Sequence, residues 1–483
     1  MNRKSLTLAI CSITFIGCGN YASAVDSTSS QESVKTSSIV GDWSGVLDVG
    51  IAKVTLVLHI QQNLDGALSA TVDTLEQKVN GTLIDLVTFD DRSLRFEIKA
   101  AFAKFEGLLI KNESEISGQW TQAGQSFPLA FERGIKSVEA PNRPQEPKLP
   151  LPYTEEHISY NNPEADVTLS GTLTLPPSKG PFPVVLLIAG SGPIDRDETV
   201  FGHKPFLVLA DYLTRQGIAV LRFDKRGCGK STGNYDQATS QDFSDDVLAG
   251  IAYIKSRKEL NLNQIGLVGH SEGGIIAPIV AAKSKDVAFI VLMAGTGVTG
   301  EKILYEQGAL VQRALGETED TINQCRKFQE QMFTIVKKES DPQIAAEQLQ
   351  EISKNYLATL PVTQEKVTLE SLKTARVNTK WFRYFLTYDP IISLKQVRVP
   401  VLALNGELDL QVSSKQNLPV ISQALEESGN RDFTIIELPR LNHFFQTCET
   451  GSIAEYEKIE ETISPLTLNL ITEWVLARTA PII

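Results

Sequence analysis

The stretch GLVGHSEGG sets Ser271 between Gly269 and Gly273 in a Gly-x-Ser-x-Gly pattern. A serine in this pattern acts as a nucleophile when it sits on a strained strand-to-helix turn, where a side chain at either glycine would strike neighbouring backbone. The flanks supply that setting, because an apolar strand runs up to His270 and a helical segment starts at Gly273. A hydroxyl is a weak nucleophile until a base removes its proton, so a histidine must reach it. Of the five histidines, His59 falls in an antiparallel region, His157 in a hairpin and His203 in the loop before the first crossover helix. His270 adjoins the serine and is expected to point away along the turn and pack. Behind a nucleophile of this type the acid and then the histidine follow in chain order. His443, in LPRLNHFFQ, follows every strand and is the candidate base.

The third member must be a carboxylate after a late strand, fixing the imidazole tautomer and stabilising the imidazolium. The segment VPVLALNGELD offers two, Glu407 and Asp409. Asp409 is preferred, because several residues of turn are needed to bring an acid over the histidine. Charge growing on the carbonyl oxygen needs two backbone donors. One is the N–H of Glu272, next to the nucleophile. The other is the N–H of Ser191 in AGSGP, where Gly190 and Gly192 let the chain approach the reacting group closely.

Other chemistries fit less well. The loop DKRGCGKSTG, residues 224–233, ends like a phosphate-binding loop, but such a loop needs its first glycine where Asp224 stands. A carboxylate there repels phosphate, so the loop is expected to be scaffold, with Asp224 and Arg226 paired. A net charge of −12 argues against nucleic acid as a partner. The cysteines lack zinc-ligand spacing and HExxH does not occur, so no metal and no other cofactor is expected.

The elements that must position these groups follow from hydrophobic patterning. Residues 36–133 read as an antiparallel β domain of six to eight short strands, a small sandwich or barrel. Residues 134–153 carry repeated prolines and read as a semi-rigid linker. From 154 to 483 the pattern changes to near-continuous apolar runs such as PVVLLIAG and FIVLMAG, the mark of strands buried on both faces of a mostly parallel sheet. Helical segments between them give an α/β fold, and the long interval at about 298–399 reads as an inserted helical cap. In the cap, WFRYFLTY either walls an acyl pocket or is ordinary helix packing.

At the N-terminus, Arg3 and Lys4, an apolar run and ASA at Ala22–Ala24 read as a signal peptide spanning residues 1–24. The chain is thus expected to be exported, periplasmic or secreted. The alternative is a lipobox at FIGC with an acyl anchor on Cys18. No transmembrane segment is expected. With Cys11 and Cys18 in the leader, Cys228, Cys325 and Cys448 form no disulfide framework. Oligomeric state is not legible.

Taken together, AGSGPIDRDE, DKRGCGKS, GHSEGG, WFRYFLTYDP, VPVLALNGELDLQV and LNHFFQ resemble the α/β-hydrolase superfamily, and within it bacterial esterases of the EstD type, grouped with serine aminopeptidase-like hydrolases. The resemblance runs from about Tyr153 to the C-terminus, and the β domain also looks like that group's N-terminal module. It implies Ser271, Asp409 and His443 as a triad, Ser191 and Glu272 as oxyanion donors, and hydrolysis of a small carboxylic ester of short acyl chain. Cys228 departs from the small apolar residue common at its place, and is expected to be a buried, inert thiol rather than a reactive one. Alternatives are a thioesterase or acyltransferase, an aminopeptidase-like hydrolase with the same triad, and a non-catalytic binding protein.

Overall fold

The computed structural model describes residues 38–135, apart from 49–52, 64, 76–78, 102, 111–112 and 123–124, together with 142–359 and 377–480. The leader, its ASA site and the Cys18 lipobox lie outside the described residues.

The chain divides into two compact units. The N-terminal one is a single antiparallel sheet of nine strands, β1 (Gly41–Asp48), β2 (Lys53–Gln62), β3 (Leu68–Thr74), β4 (Val79–Leu83), β5 (Leu86–Asp90), β6 (Ser93–Ile98), β7 (Ala103–Ile110), β8 (Glu115–Gln122) and β9 (Gln125–Arg133). The strand count exceeds the six to eight expected, because short edge segments carry little alternation of their own. In the order β4-β3-β2-β1-β9-β8-β7-β6-β5, β4 and β5 lie at opposite ends. Only Ile84 and Asp85 separate them in the chain, and these residues donate to Ala70 of β3 and Glu97 of β6. The sheet therefore closes into a barrel. Strict alternation, as in β7, turns Phe96, Phe105, Trp120 and Phe131 inward, where Phe105 and Phe131 meet edge-to-face with centroids 5.2 Å apart.

The second unit contains β10 (Thr154–Asn162), β11 (Val167–Leu175), β12 (Phe182–Ile188), β13 (Ala219–Phe223), β14 (Leu260–His270), β15 (Val287–Met293), β16 (Val401–Gly406) and β17 (Phe433–Leu438). Their order is β10-β11-β13-β12-β14-β15-β16-β17, with β10, β11 and β13 paired antiparallel and every pairing from β13 to β17 parallel. Helices α1 (Pro205–Arg215), α2 (Ser240–Lys255) and α3 (Gly273–Lys283) form the crossovers. The apolar runs are buried on both faces, as at β13, where every residue is buried. The described part of the long interval between β15 and β16 carries the helices α4 (Gly300–Ala314), α5 (Glu319–Lys338) and α6 (Pro342–Thr359), then helices at Lys380–Thr387 and Ile391–Leu394.

The end of the proline-rich segment is fastened to this unit. Arg143 donates to the carbonyls of Glu457 and Ile459, each at 2.8 Å, and Gln145 accepts from the N–H of Thr462. None of the described helices is long and apolar enough to cross a membrane.

Candidate active site

Parallel register sets which loops meet. Ile188 of β12 is level with Gly269 of β14, and Gly406 of β16 is level with Leu438 of β17. The segments leaving the carboxyl ends of β12, β13, β14, β16 and β17 therefore lie along one edge of the sheet, and these segments carry Ser191, Ser271, Glu272, Asp409 and His443.

Ser271 follows β14 directly and has φ +53°, the left-handed region that a non-glycine residue occupies only when its surroundings impose it. The imposing contacts are backbone. A Cβ on Gly269 would collide with the carbonyl of Gly273, and one on Gly273 with the carbonyl oxygen of Ile188. The glycines thus let β14, α3 and the end of β12 approach closely enough to force the turn. The Ser271 N–H donates to Met293 at 2.8 Å, while the residue itself stays partly exposed.

His443 donates from Nδ1 to Oδ2 of Asp409 at 2.8 Å, and both side chains are buried. The second oxygen of Asp409 accepts the N–H groups of Gln411 and Val412, each at 2.8 Å. These bonds fix the carboxylate against the imidazole through Nδ1, so that in the neutral ring Nε2 is the nitrogen able to accept a proton. Glu407 instead accepts the N–H of Arg440 at the surface, so Asp409 is the acid that meets the histidine. Asn442 staples the His443 turn by accepting from the N–H groups of Phe444 and Gln446, each at 3.0 Å.

Ser191 comes next to Ser271, since a Cβ built on the adjacent Gly190 would lie 3.4 Å from Cβ of Ser271. Among the described residues, no acceptor takes the N–H of Ser191 or of Glu272.

Sequence reasoning missed the polar shell around these groups. His270 does not merely pack. Its Nδ1 meets Glu198 at 2.9 Å and its Nε2 meets the backbone carbonyl of His443 at 3.0 Å. Burial by itself would lower its pKa, but the Glu198 carboxylate outweighs it and the net shift is upward. Glu198 also accepts the N–H of Gly190 at 2.8 Å. Glu272 is likewise buried, and Lys225 reaches one of its oxygens at 2.9 Å while Ser240 and Trp381 donate to the other at 2.7 and 2.6 Å. A charged residue inside an apolar helix start was the one available signal for that network.

The loop 224–233 holds no phosphate cradle, because its own carboxylate fills it. Asp224 accepts the N–H of Lys230 and blocks the space beside Gly229. The expected Asp224–Arg226 pair is not formed. Asp224 is clamped by Arg196, with Nη2 to Oδ2 at 2.6 Å, and this guanidinium overcomes burial to hold its pKa low. Arg226 turns beneath α2 to Asp246 at 2.7 Å, a buried carboxylate that would otherwise lack a counter-charge. Cys228 is buried, and burial pushes its thiol up to about 11. Of the remaining histidines, His59 lies between Asp42 and Asp73 in the barrel, and His203 is bound to Thr462 and the Tyr456 carbonyl. No group of described side chains has the makings of a metal site.

A mostly parallel sheet with its strained serine between strand and helix, and with an acid and a histidine on later loops in that order, defines an α/β hydrolase. Residues 204–447 match the model of the family described as Serine aminopeptidase, S33, and the chain belongs to that family. It is also similar to Esterase EstD of Thermotoga maritima, 26% identical over 386 residues that cover 78% of this chain and 81% of the relative. Among solved structures it aligns with the Pyrococcus furiosus esterase Pf2001, at 16% identity and TM-score 0.40 over 68% of this chain and 94% of the other. It aligns also with the α/β hydrolase GrgF of Penicillium sp. sh18, at 17% identity and TM-score 0.42 over 68% and 100%.

Proposed function

We propose that the chain is an exported serine hydrolase that cleaves small carboxylic esters of short acyl chain through an acyl-enzyme. The observation that carries this reading is the 2.8 Å bond from His443 Nδ1 to Asp409, on loops that share one sheet edge with the strained Ser271. The similarity to an esterase supports the substrate class. The leader pattern of residues 1–24 supports export to the periplasm or medium, with a lipid anchor on Cys18 as the alternative.

In this mechanism Ser271 Oγ attacks the ester carbonyl carbon as its proton passes to His443 Nε2, and Asp409 stabilises the imidazolium. The carbonyl oxygen becomes an oxyanion held by the N–H groups of Ser191 and Glu272. Collapse breaks the bond to the alkoxide, which leaves with the proton from His443. Water, deprotonated by the same histidine, then releases the acid and restores the serine. Trp381, bonded to Glu272 and stacked on Phe385 at 5.1 Å, brings an aromatic wall of the cap to the nucleophile turn.

The family description keeps amide hydrolysis as a second reading. A free α-ammonium calls for a carboxylate in the site, yet Glu198, Glu272 and Asp409 already have His270, Lys225 and His443 as partners. The test is turnover of nitrophenyl esters of increasing acyl length, a thioester and aminoacyl arylamides by one preparation, beside Ser271→Ala. Ester turnover should lead, fall with acyl length, and drop by on the order of 10⁴ to 10⁶ in the variant. Arylamide turnover outpacing every ester overturns the substrate class. A folded wild-type protein whose Ser271 resists fluorophosphonate makes the chain a binding protein instead.

A further inference from the structure

Lys225 stands two residues beyond β13, in a loop that carries no member of the triad, and its side chain is buried to 3% exposure. It has two anionic or partly negative neighbours. Nζ donates to the Gly190 carbonyl at 2.6 Å and meets Glu272 Oε2 at 2.9 Å, with the ring of Phe243 packed 4.6 Å away. The Gly190 carbonyl and the Ser191 N–H belong to one peptide group. That peptide is trans, so the C=O and N–H bonds point in opposite directions in one plane and their dipoles add. A cation fixed on the oxygen side therefore sets the direction of the N–H on the other side, and by drawing charge onto the oxygen strengthens the N–H as a donor.

The other contact reaches the second donor. Glu272 contributes its backbone N–H beside Ser271, and its side chain is immobilised by Lys225 on one oxygen and by Ser240 and Trp381 on the other. One ammonium thus joins the loop after β12 to the start of α3.

We propose that Lys225 is the positioning residue of the oxyanion hole, orienting and polarising the Ser191 N–H through the Gly190 carbonyl and locating the Glu272 N–H through its carboxylate. This rests on the reading of those two amides as oxyanion donors. The role differs from that of a buried ion pair holding the fold, because the effect falls on the charge-developing state and spares substrate binding.

The test compares wild type with Lys225→Met, Lys225→Arg and the double variant Lys225→Met/Glu272→Gln, which leaves no unpaired buried charge. The measurements are kcat and KM on a nitrophenyl ester, Ki for a trifluoromethyl ketone, which forms an oxyanion on the enzyme, and the rate of Ser271 labelling by fluorophosphonate. The melting temperature of each variant is recorded alongside. Lys225→Met and the double variant should lose on the order of 10² to 10³ in kcat. KM should stay within about threefold, trifluoromethyl ketone binding should weaken by the same factor as kcat, and Lys225→Arg should recover part of the loss. A double variant that melts like wild type and keeps kcat, Ki and labelling rate within about threefold overturns the proposal while leaving the serine-hydrolase reading intact. Wild type that neither labels at Ser271 nor turns over esters overturns both.

Discussion

His270 Nε2 donates to the main-chain carbonyl of His443 at 3.0 Å, so the residue before Ser271 grips the backbone of the histidine that meets Asp409. Its other nitrogen faces the Glu198 carboxylate. Both partners are acceptors, so each ring nitrogen of His270 meets an oxygen, while the second carboxylate oxygen of Glu198 is buried without a hydrogen-bond partner.

Replacing His270 by Leu leaves Glu198 buried without its counter-charge, which costs about 3–5 kcal/mol of stability. Adding Glu198→Gln should recover much of that, since the amide oxygen still accepts the Gly190 N–H. Urea unfolding of the single and double variants checks both statements.

Gly273→Ala should damage the Ser271 turn at its tightest point. The new methyl group collides with the Ile188 carbonyl oxygen, so β12 and α3 must separate. Overpacking of this kind costs roughly 1–3 kcal/mol or more. Because the same shift moves Ser271 against Ser191, the fall in kcat should exceed what the melting temperature suggests.

Stability should fall as pH is lowered from about 6.5 to 4. His203 is neutral in the folded chain because burial, with Arg143 adding to it, depresses its pKa from 6.5 to about 4. The unfolded chain binds a proton through that interval and the folded chain does not, so the contribution is present above 6.5 and is lost towards 4. The slope from this group is at most about 1.4 kcal/mol per pH unit. A flattened pH profile of the urea midpoint in His203→Gln identifies the group.

Cys228 should be silent towards thiol reagents in the native protein. With its thiol pushed up to about 11, the reactive thiolate is scarce at pH 8. A disulfide reagent should label Cys228, Cys325 and Cys448 only after unfolding, with esterase activity unchanged by treatment of the folded chain. Rapid native labelling that abolishes turnover would instead place a reactive thiol beside the site.

What could be read from the chain alone was whatever short-range geometry dictates. Glycines at 269 and 273 announced the turn at Ser271, alternation announced the barrel strands, and apolar runs announced the parallel sheet. Chain order then picked out His443 and a carboxylate at 407 or 409. Tertiary structure decided the pairings, because a partner reached across two loops depends on which strands are neighbours and in what register. β13 lies beside β12 rather than β14, and that placement carries Lys225 to Gly190 and Glu272. The same long-range placement gives Asp224 to Arg196 and leaves Arg226 for Asp246, pairings that no local spacing encodes, since a buried charge takes whichever counter-charge the packed fold brings to it.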